Sequence, residues 1–214
     1  MINLYNRDCL EAMRGMGDND FDLAIVDPPY GIGASKEKYT PENSAWKNKK
    51  KKGYVKKSWD NNTPSQEYFD ELFRVSKNQI IWGCNYFTDK LPVHSGRIFW
   101  DKKETMPSFS KGELAYTSLF SKIEKWSFLW SGYKKEIQEH RTHPTQKPIA
   151  LYTWLLDRYA KEGDKILDTH LGSGSIAIAC HNLGYSLDGY ELDPDYYQAA
   201  CNRLKEHQKQ LRLF

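Results

Sequence analysis

Asp164-Lys-Ile-Leu-Asp168-Thr-His-Leu-Gly172-Ser-Gly174-Ser175, running on into Ile176-Ala-Ile-Ala-Cys180-His-Asn-Leu183, is the stretch that decides the fold. Residues 164–168 read as a strand that stops at a glycine-containing turn. Residues 173–183 then read as a helix, 186–190 (SLDGY) as a second strand and 194–208 as a second helix. Strand, helix, strand, helix predicts a parallel α/β sheet. Ligands of such sheets sit at the carboxyl ends of the strands. Asp168, Leu171, Gly172, Ser173 and Gly174 occupy such an end. Small residues there let the backbone approach a ligand, and the helix start behind them favours an anionic group such as a carboxylate. Glu191 follows Gly172 by 19 residues, at the end of the next strand, a spacing suited to gripping ribose hydroxyls. Gly172, Gly174 and Ala177 also satisfy the dinucleotide pattern GxGxx(G/A), so a nicotinamide-dependent oxidoreductase is a competing reading. Two features count against it. No strand run follows to complete a second mononucleotide half, and it leaves the next motif without a role.

That motif lies upstream. Phe21-Asp-Leu-Ala-Ile-Val26 is an apolar strand that ends abruptly at Asp27-Pro28-Pro29-Tyr30, since proline cannot donate to a sheet ladder. Its chemistry suits an aromatic amine, whose nitrogen is a poor nucleophile because its lone pair is delocalised into the ring. Asp27 offers a carboxylate and Pro28 a backbone carbonyl to accept both N–H hydrogens. Pro28 and Pro29 stiffen the chain and remove competing donors. Tyr30 can stack on a base taken out of its helix. Acceptors fixed in place before reaction count most where charge develops.

Two weaker elements complete the set. His143-Pro-Thr-Gln-Lys-Pro148 precedes a helix read over 146–161, and its Thr145 and Lys147 offer a hydroxyl and a cation. Asn6-Arg-Asp8-Cys9 follows a short strand at 2–5. Taken together, DPPY at 27–30, HPTQKP at 143–148 and the GSG turn at 172–174, in that order, resemble the β-ordered group of DNA amino methyltransferases. The resemblance runs from about residue 3 to 205. It implies a Rossmann-like, S-adenosylmethionine-dependent methyltransferase sheet with a small β-rich insertion. It also implies methyl transfer to an exocyclic amino nitrogen in double-stranded DNA, with no covalent enzyme intermediate and no metal. Asp at the first position of DPPY is typical of the adenine-N6 members and Ser of many cytosine-N4 members, so adenine N6 is expected and cytosine N4 is the alternative. The catalytic residues implied are Asp27, Pro28, Pro29 and Tyr30. Those implied to hold the cofactor are Asp8, Cys9, Asp27, Thr145, Lys147, Asp168, Leu171, Gly172, Ser173, Gly174 and Glu191. The cofactor turn departs from the group's pattern: Thr169-His-Leu171 stands where Pro-Phe-X is usual, so Leu171 or His170 replaces the ring.

Between the motifs, residues 31–62 read as a long loop, mobile without nucleic acid. Nine lysines (Lys36, Lys38, Lys47, Lys49, Lys50, Lys51, Lys52, Lys56 and Lys57) face only Glu37, Glu42 and Asp60 there, a local excess of +6 in a chain whose net charge is +3. Trp46, Tyr54 and Trp59 are interleaved, so phosphate contact and base stacking are both available. A plain nucleic-acid-binding module would explain this stretch and nothing else. A helix is read at 64–76 with Thr63 as N-cap, and strands at 78–82 and 97–100. Residues 101–142 are read as a β-rich target-recognition insertion.

The 214 residues, 39% hydrophobic and 28% charged, fit a single domain. No apolar run is long enough to span a bilayer, the N-terminus lacks a secretion pattern, and the four cysteines form no CxxC pair. A cytoplasmic protein is therefore expected. The cysteines lack the CxxxCxxC spacing of radical chemistry and the Pro-Cys pair of cytosine C5 transfer, and there is no GxxxxGK[ST] phosphate loop. A partner restriction endonuclease, and the choice between monomer and homodimer, stay open at this point.

Overall fold

The computed structural model describes residues 1–34, 57–105, 110–130, 135–137, 139 and 142–210. Eight strands form one sheet: β1 (Ile2–Tyr5), β2 (Phe21–Val26), β3 (Ser76–Trp82), β4 (Arg97–Asp101), β5 (Gly112–Thr117), β6 (Ile123–Ser127), β7 (Lys165–Asp168) and β8 (Ser186–Tyr190). Their spatial order is β1-β8-β7-β2-β3-β5-β4-β6. The helices are α1 (Cys9–Met13), α2 (Gln66–Val75), α3 (Ile149–Tyr159), α4 (Ser175–Leu183) and α5 (Pro194–Lys209).

Alternation along the strands builds two cores, one on each face. Leu23, Ile25, Ile80, Trp82 and Ile166 point to the face covered by α3, α4 and α5. Ala24, Val26, Ile81 and Leu167 point to the face covered by α1 and α2, where Phe69 and Leu72 are fully buried. Strands buried on both faces read as continuous apolar runs, which is why FDLAIV shows no polar alternation.

Five neighbouring strands, β1, β8, β7, β2 and β3, are parallel. Strand β5 runs against both β3 and β4, and β6 is parallel to β4. Within the segment expected at 101–142 to be a β-rich insertion, strands β5 and β6 extend the central sheet. Their alternation announces strands and carries no information about partners. The reversal of β5 has a further effect. Its first residues lie opposite the last residues of β4, with Glu113 across from Trp100 and Gly112 across from Asp101. The start of β5 therefore shares an edge with the ends of the parallel strands.

Three helix starts differ from the sequence reading, α4 beginning at Ser175 rather than Ser173. The N-cap of α2 is Ser65, whose hydroxyl accepts from the Tyr68 N–H at 3.3 Å, rather than Thr63. Helix α3 begins at Ile149 and not at Gln146. Pro148 disfavours a helical conformation at Lys147, so Gln146 and Lys147 stay outside the helix.

Gly83, just past β3, has φ +72°. A Cβ built there would lie 2.1 Å from Cε1 of Tyr30, inside the ring's own volume. The Gly83→Ala variant should lose about 2 kcal/mol or more of stability, combining left-handed strain with overpacking; urea unfolding measures it, and an unchanged midpoint would show that the ring has room to move.

Candidate active site

The carboxyl ends of β1, β8, β7 and β2 bring four acidic residues into a row: Asp8, Glu191, Asp168 and Asp27. Each lies at or just beyond the end of its strand, so the parallel ladder sets their order. Asp8 caps α1 by accepting from the Glu11 N–H at 3.0 Å. Cys9 follows it, and its thiol is pushed up to about 12 by burial and by the neighbouring Asp8 charge, which leaves it unreactive.

The glycine turn is held by its own strand ends. Leu171 N–H donates to the Tyr190 carbonyl at 2.8 Å, and Glu191 accepts from the N–H groups of Gly172 at 2.8 Å and Asp193 at 2.9 Å. Gly174 caps α4 with φ +72°, and a Cβ there would meet that of Ala200 at 3.0 Å. Ser175 donates to the carbonyl of Lys147 at 2.8 Å and receives a bond from Arg203, which ties the turn to the HPTQKP segment. Within that segment the Thr145 hydroxyl lies 3.1 Å from Nδ1 of His143.

Asp168 is 2% exposed and has no ion-pair partner among the described residues. Burial, with the charges of Asp27 and Glu191 adding to it, pushes its carboxyl up to about 8 against one bond from the His170 N–H. His170 is itself held neutral by burial, at about 4. A buried acid that lacks a cation suits a ligand bearing an ammonium group beside its carboxylate.

Asp27 forms the floor of a cleft of about 650 Å³ that Tyr30, Trp59, Trp100, Lys102 and Thr145 also line. The buried ammonium of Lys147 lies 2.5 Å from Asp27 Oδ2 and 2.9 Å from Glu113 Oε2. Tyr30 donates its hydroxyl hydrogen to Asp27 Oδ1 at 2.6 Å and accepts from Lys147 at 3.2 Å. Lys102 pairs with the other Glu113 oxygen. Burial pushes both carboxyls up. For Glu113 the two lysines outweigh it and hold the group at about 2. Asp27 stays raised, because burial and the Glu113 charge together exceed what Lys147 supplies. Burial alone would lower Lys147, yet Asp27 and Glu113 hold it above the usual lysine range.

The structure thus brings Asp27, Pro28, Pro29, Tyr30, Thr145 and Lys147 to one cleft. The Lys147 ammonium, expected at the cofactor, meets Asp27 and Glu113. Tyr30 is already stacked on Tyr86, with centroids 4.9 Å apart. Glu113 and Lys102 are not legible in the sequence. Each sits at the edge of a strand that shows only alternation; Glu113 becomes notable through Lys147, far along the chain, and Lys102 through Glu113. Asp60 is also absent from the sequence reading of the site: buried, it accepts from the N–H groups of Gly31 at 2.9 Å and Ala34 at 2.6 Å, and so fixes the turn behind the DPPY motif. Of the basic stretch, Lys36, Lys38, Lys47, Lys49 to Lys52, Lys56, Trp46 and Tyr54 lie outside the described residues. Lys57 is engaged by Asp193 at 2.5 Å and Asp195 at 2.8 Å. Trp59 packs on His143, with centroids 5.0 Å apart.

Among the described residues, no group of three or more His, Cys, Asp or Glu is placed to hold a metal ion, and no helix is long and apolar enough to cross a membrane.

The raised Asp168 carboxyl links folding to protons. Between its ordinary value of 3.8 and about 8, the unfolded chain has released this proton and the folded chain has kept it. Stability therefore falls as pH rises through that window, by at most about 1.4 kcal/mol per pH unit from this group. Asp168→Asn keeps the acceptor for His170 and removes the proton. Urea unfolding of the ligand-free protein should show the variant more stable at pH 8 and with a flatter slope from pH 4 to 8; parallel curves would mean that Asp168 is ionised in the fold.

The DNA methylase family model matches residues 46–202. The Type II methyltransferase M.HpaI of Haemophilus parainfluenzae is 25% identical, over 91% of this chain and 71% of its own length. The Type II methyltransferase M2.DpnII of Streptococcus pneumoniae is 28% identical over 69% of this chain, but that match spans only 49% of the relative. Among solved structures, the M1.HpyAVI–SAM complex superposes with a TM-score of 0.62 at 23% identity, covering 95% of this chain and all of that one. With more than half of its residues matched by the family model, the chain belongs to the DNA methylase family.

Proposed function

We propose that this protein transfers the methyl group of S-adenosylmethionine to adenine N6 in double-stranded DNA. The observation that carries the reading is Asp27: a buried carboxylate on the floor of the cleft, one strand away from the buried, cation-free Asp168. The DNA methylase family match supports the substrate class, and the S-adenosylmethionine bound in the M1.HpyAVI–SAM complex supports the cofactor. The family match gives no support to the oxidoreductase reading or to a plain binding module.

The residues at the strand ends fit the cofactor. Asp168 would take its ammonium, the turn from Leu171 to Gly174 with the start of α4 its carboxylate, and Glu191 its ribose. Asp8 and Cys9 would border its adenine, and Thr145 would lie near its methionine end. When bound, it supplies a methyl group made electrophilic by a sulfonium. Asp27 and the Pro28 carbonyl accept the two amino N–H bonds of the target, which draws the nitrogen toward tetrahedral geometry and aims its lone pair at the methyl. As the N–C bond forms and the C–S bond breaks, the nitrogen becomes cationic, and one of its hydrogens passes to an Asp27 oxygen. A carboxyl raised by burial is a better acceptor for that proton than an ordinary one. No step requires a covalent bond to the protein.

The nine-lysine stretch and the β-rich segment at 101–142 are the parts we assign to DNA contact and target recognition. The names of the Type II relatives suggest a restriction–modification setting.

The test is nucleoside analysis by mass after incubating mixed-sequence double-stranded DNA with the protein and methyl-labelled cofactor. Label is expected in N6-methyladenine. Label in N4-methylcytosine would move the assignment to the other base while leaving the role of Asp27 intact. Asp27→Ala should lower the transfer rate by at least about 100-fold, the scale of one lost electrostatic stabiliser, with cofactor affinity by calorimetry still measurable. Retained activity in that variant would remove Asp27 from the mechanism.

A further inference from the structure

The cleft holds more charge than the proposed transfer uses. Both oxygens of Asp27 are engaged, Oδ1 by the Tyr30 hydroxyl and Oδ2 by Lys147. These are the same lone pairs that an incoming amino group would seek. For Asp27 to turn toward a target, Lys147 must place its charge elsewhere, and its side chain is only 3% exposed. Glu113 is the acceptor within reach, at 2.9 Å. It stands there because β5 runs against its neighbours, which sets the first residues of that strand beside the last residues of β4 and just past the end of β3. Lys102 pairs with the opposite oxygen of Glu113, so this carboxylate faces cations on both sides.

We infer that Glu113 is a positioning residue for the reaction: it takes up Lys147 when the target amino group binds Asp27, so the cation stays paired while the Asp27 lone pairs serve the substrate. The inference rests on the function proposed above and adds a residue to it. Without Glu113, Lys147 has Asp27 as its one carboxylate partner and competes with the substrate for it. Lys102 has the opposite influence. It shares Glu113, and so leaves more of the Lys147 charge on Asp27. Removing one or the other should therefore move Asp27 in opposite directions. Loss of the Glu113 charge lowers the pH at which Asp27 ionises. Loss of the Lys102 charge raises it, directly and by drawing Lys147 toward Glu113.

The experiment is the pH dependence of kcat for Glu113→Gln and Lys102→Met in the full chain, on double-stranded DNA that the wild type labels, with cofactor affinity and melting temperature recorded for each. For Glu113→Gln we expect kcat at neutral pH to fall about 100-fold, the scale of a misplaced reacting group, cofactor affinity to stay within about threefold, and the acid limb to move to lower pH. For Lys102→Met we expect the acid limb to move to higher pH. Wild-type kcat in Glu113→Gln, an unmoved limb, or limbs moving the same way in both variants would overturn the inference. If Glu113→Gln does not fold, Lys102→Met decides alone: a raised limb supports the role and any other result refutes it. Failure of the wild type to label any DNA would count against the proposed function itself, a different outcome from a wild type that works and variants that do not respond.

Discussion

The pairing of β2 with β7 is the constraint on which the rest depends. Leu23 lies opposite Ile166 and Ala24 opposite Leu167, in parallel, and this junction joins the half of the chain that carries DPPY to the half that carries the glycine turn. Because parallel strands in register end together, Asp27 and Asp168 must emerge side by side. The helices follow from the same ladder, with α3, α4 and α5 covering one face and α1 and α2 the other. A slip of one residue between these strands would exchange the two faces and bury the wrong side chains on each.

The second organising feature is the cation at the centre of the cleft. Lys147 reaches Asp27 at the end of β2 and Glu113 on β5, while its backbone carbonyl is held by Ser175 at the start of α4. Burying an ammonium is costly unless carboxylates and hydrogen bonds surround it, and removing one partner of such a group costs more than the pair itself contributes. Here the ammonium has two carboxylates and a hydroxyl. The charge network is therefore part of what holds the two halves in place, in addition to its part in the chemistry.

How far the sequence can be read depends on whether a residue's meaning is local. FDLAIV stopped by two prolines, and KILD stopped by a glycine turn, are local signals, and both strands and their terminal acids stand where the pattern puts them. The start of α3 departs from its apolar pattern because that pattern runs through Pro148, whose effect falls on the residue before it. The start of α2 departs because Thr63 and Ser65 are both good caps, and the Thr63 hydroxyl accepts from Lys90 instead. Glu113 is a harder case. An acid near the start of a strand carries no signal of its own, and its importance comes from the reversed direction of β5 and from a lysine more than thirty residues away. The strands within 101–142 are legible and their place in the sheet is not, since pairing partners are set by topology.

The row of acids along the carboxyl edge has a consequence for encounter with ligands. Along this row Lys147 offsets Asp27, whereas Asp8 and Glu191 have no ion-pair partner among the described residues and leave a negative rim, to which Asp168 adds once a cation lowers its pKa. Such a rim steers a small cation inward and turns a polyanion aside. In this sense the fold sorts its two substrates by sign of charge, and the sorting should fade as added salt shortens the reach of the field.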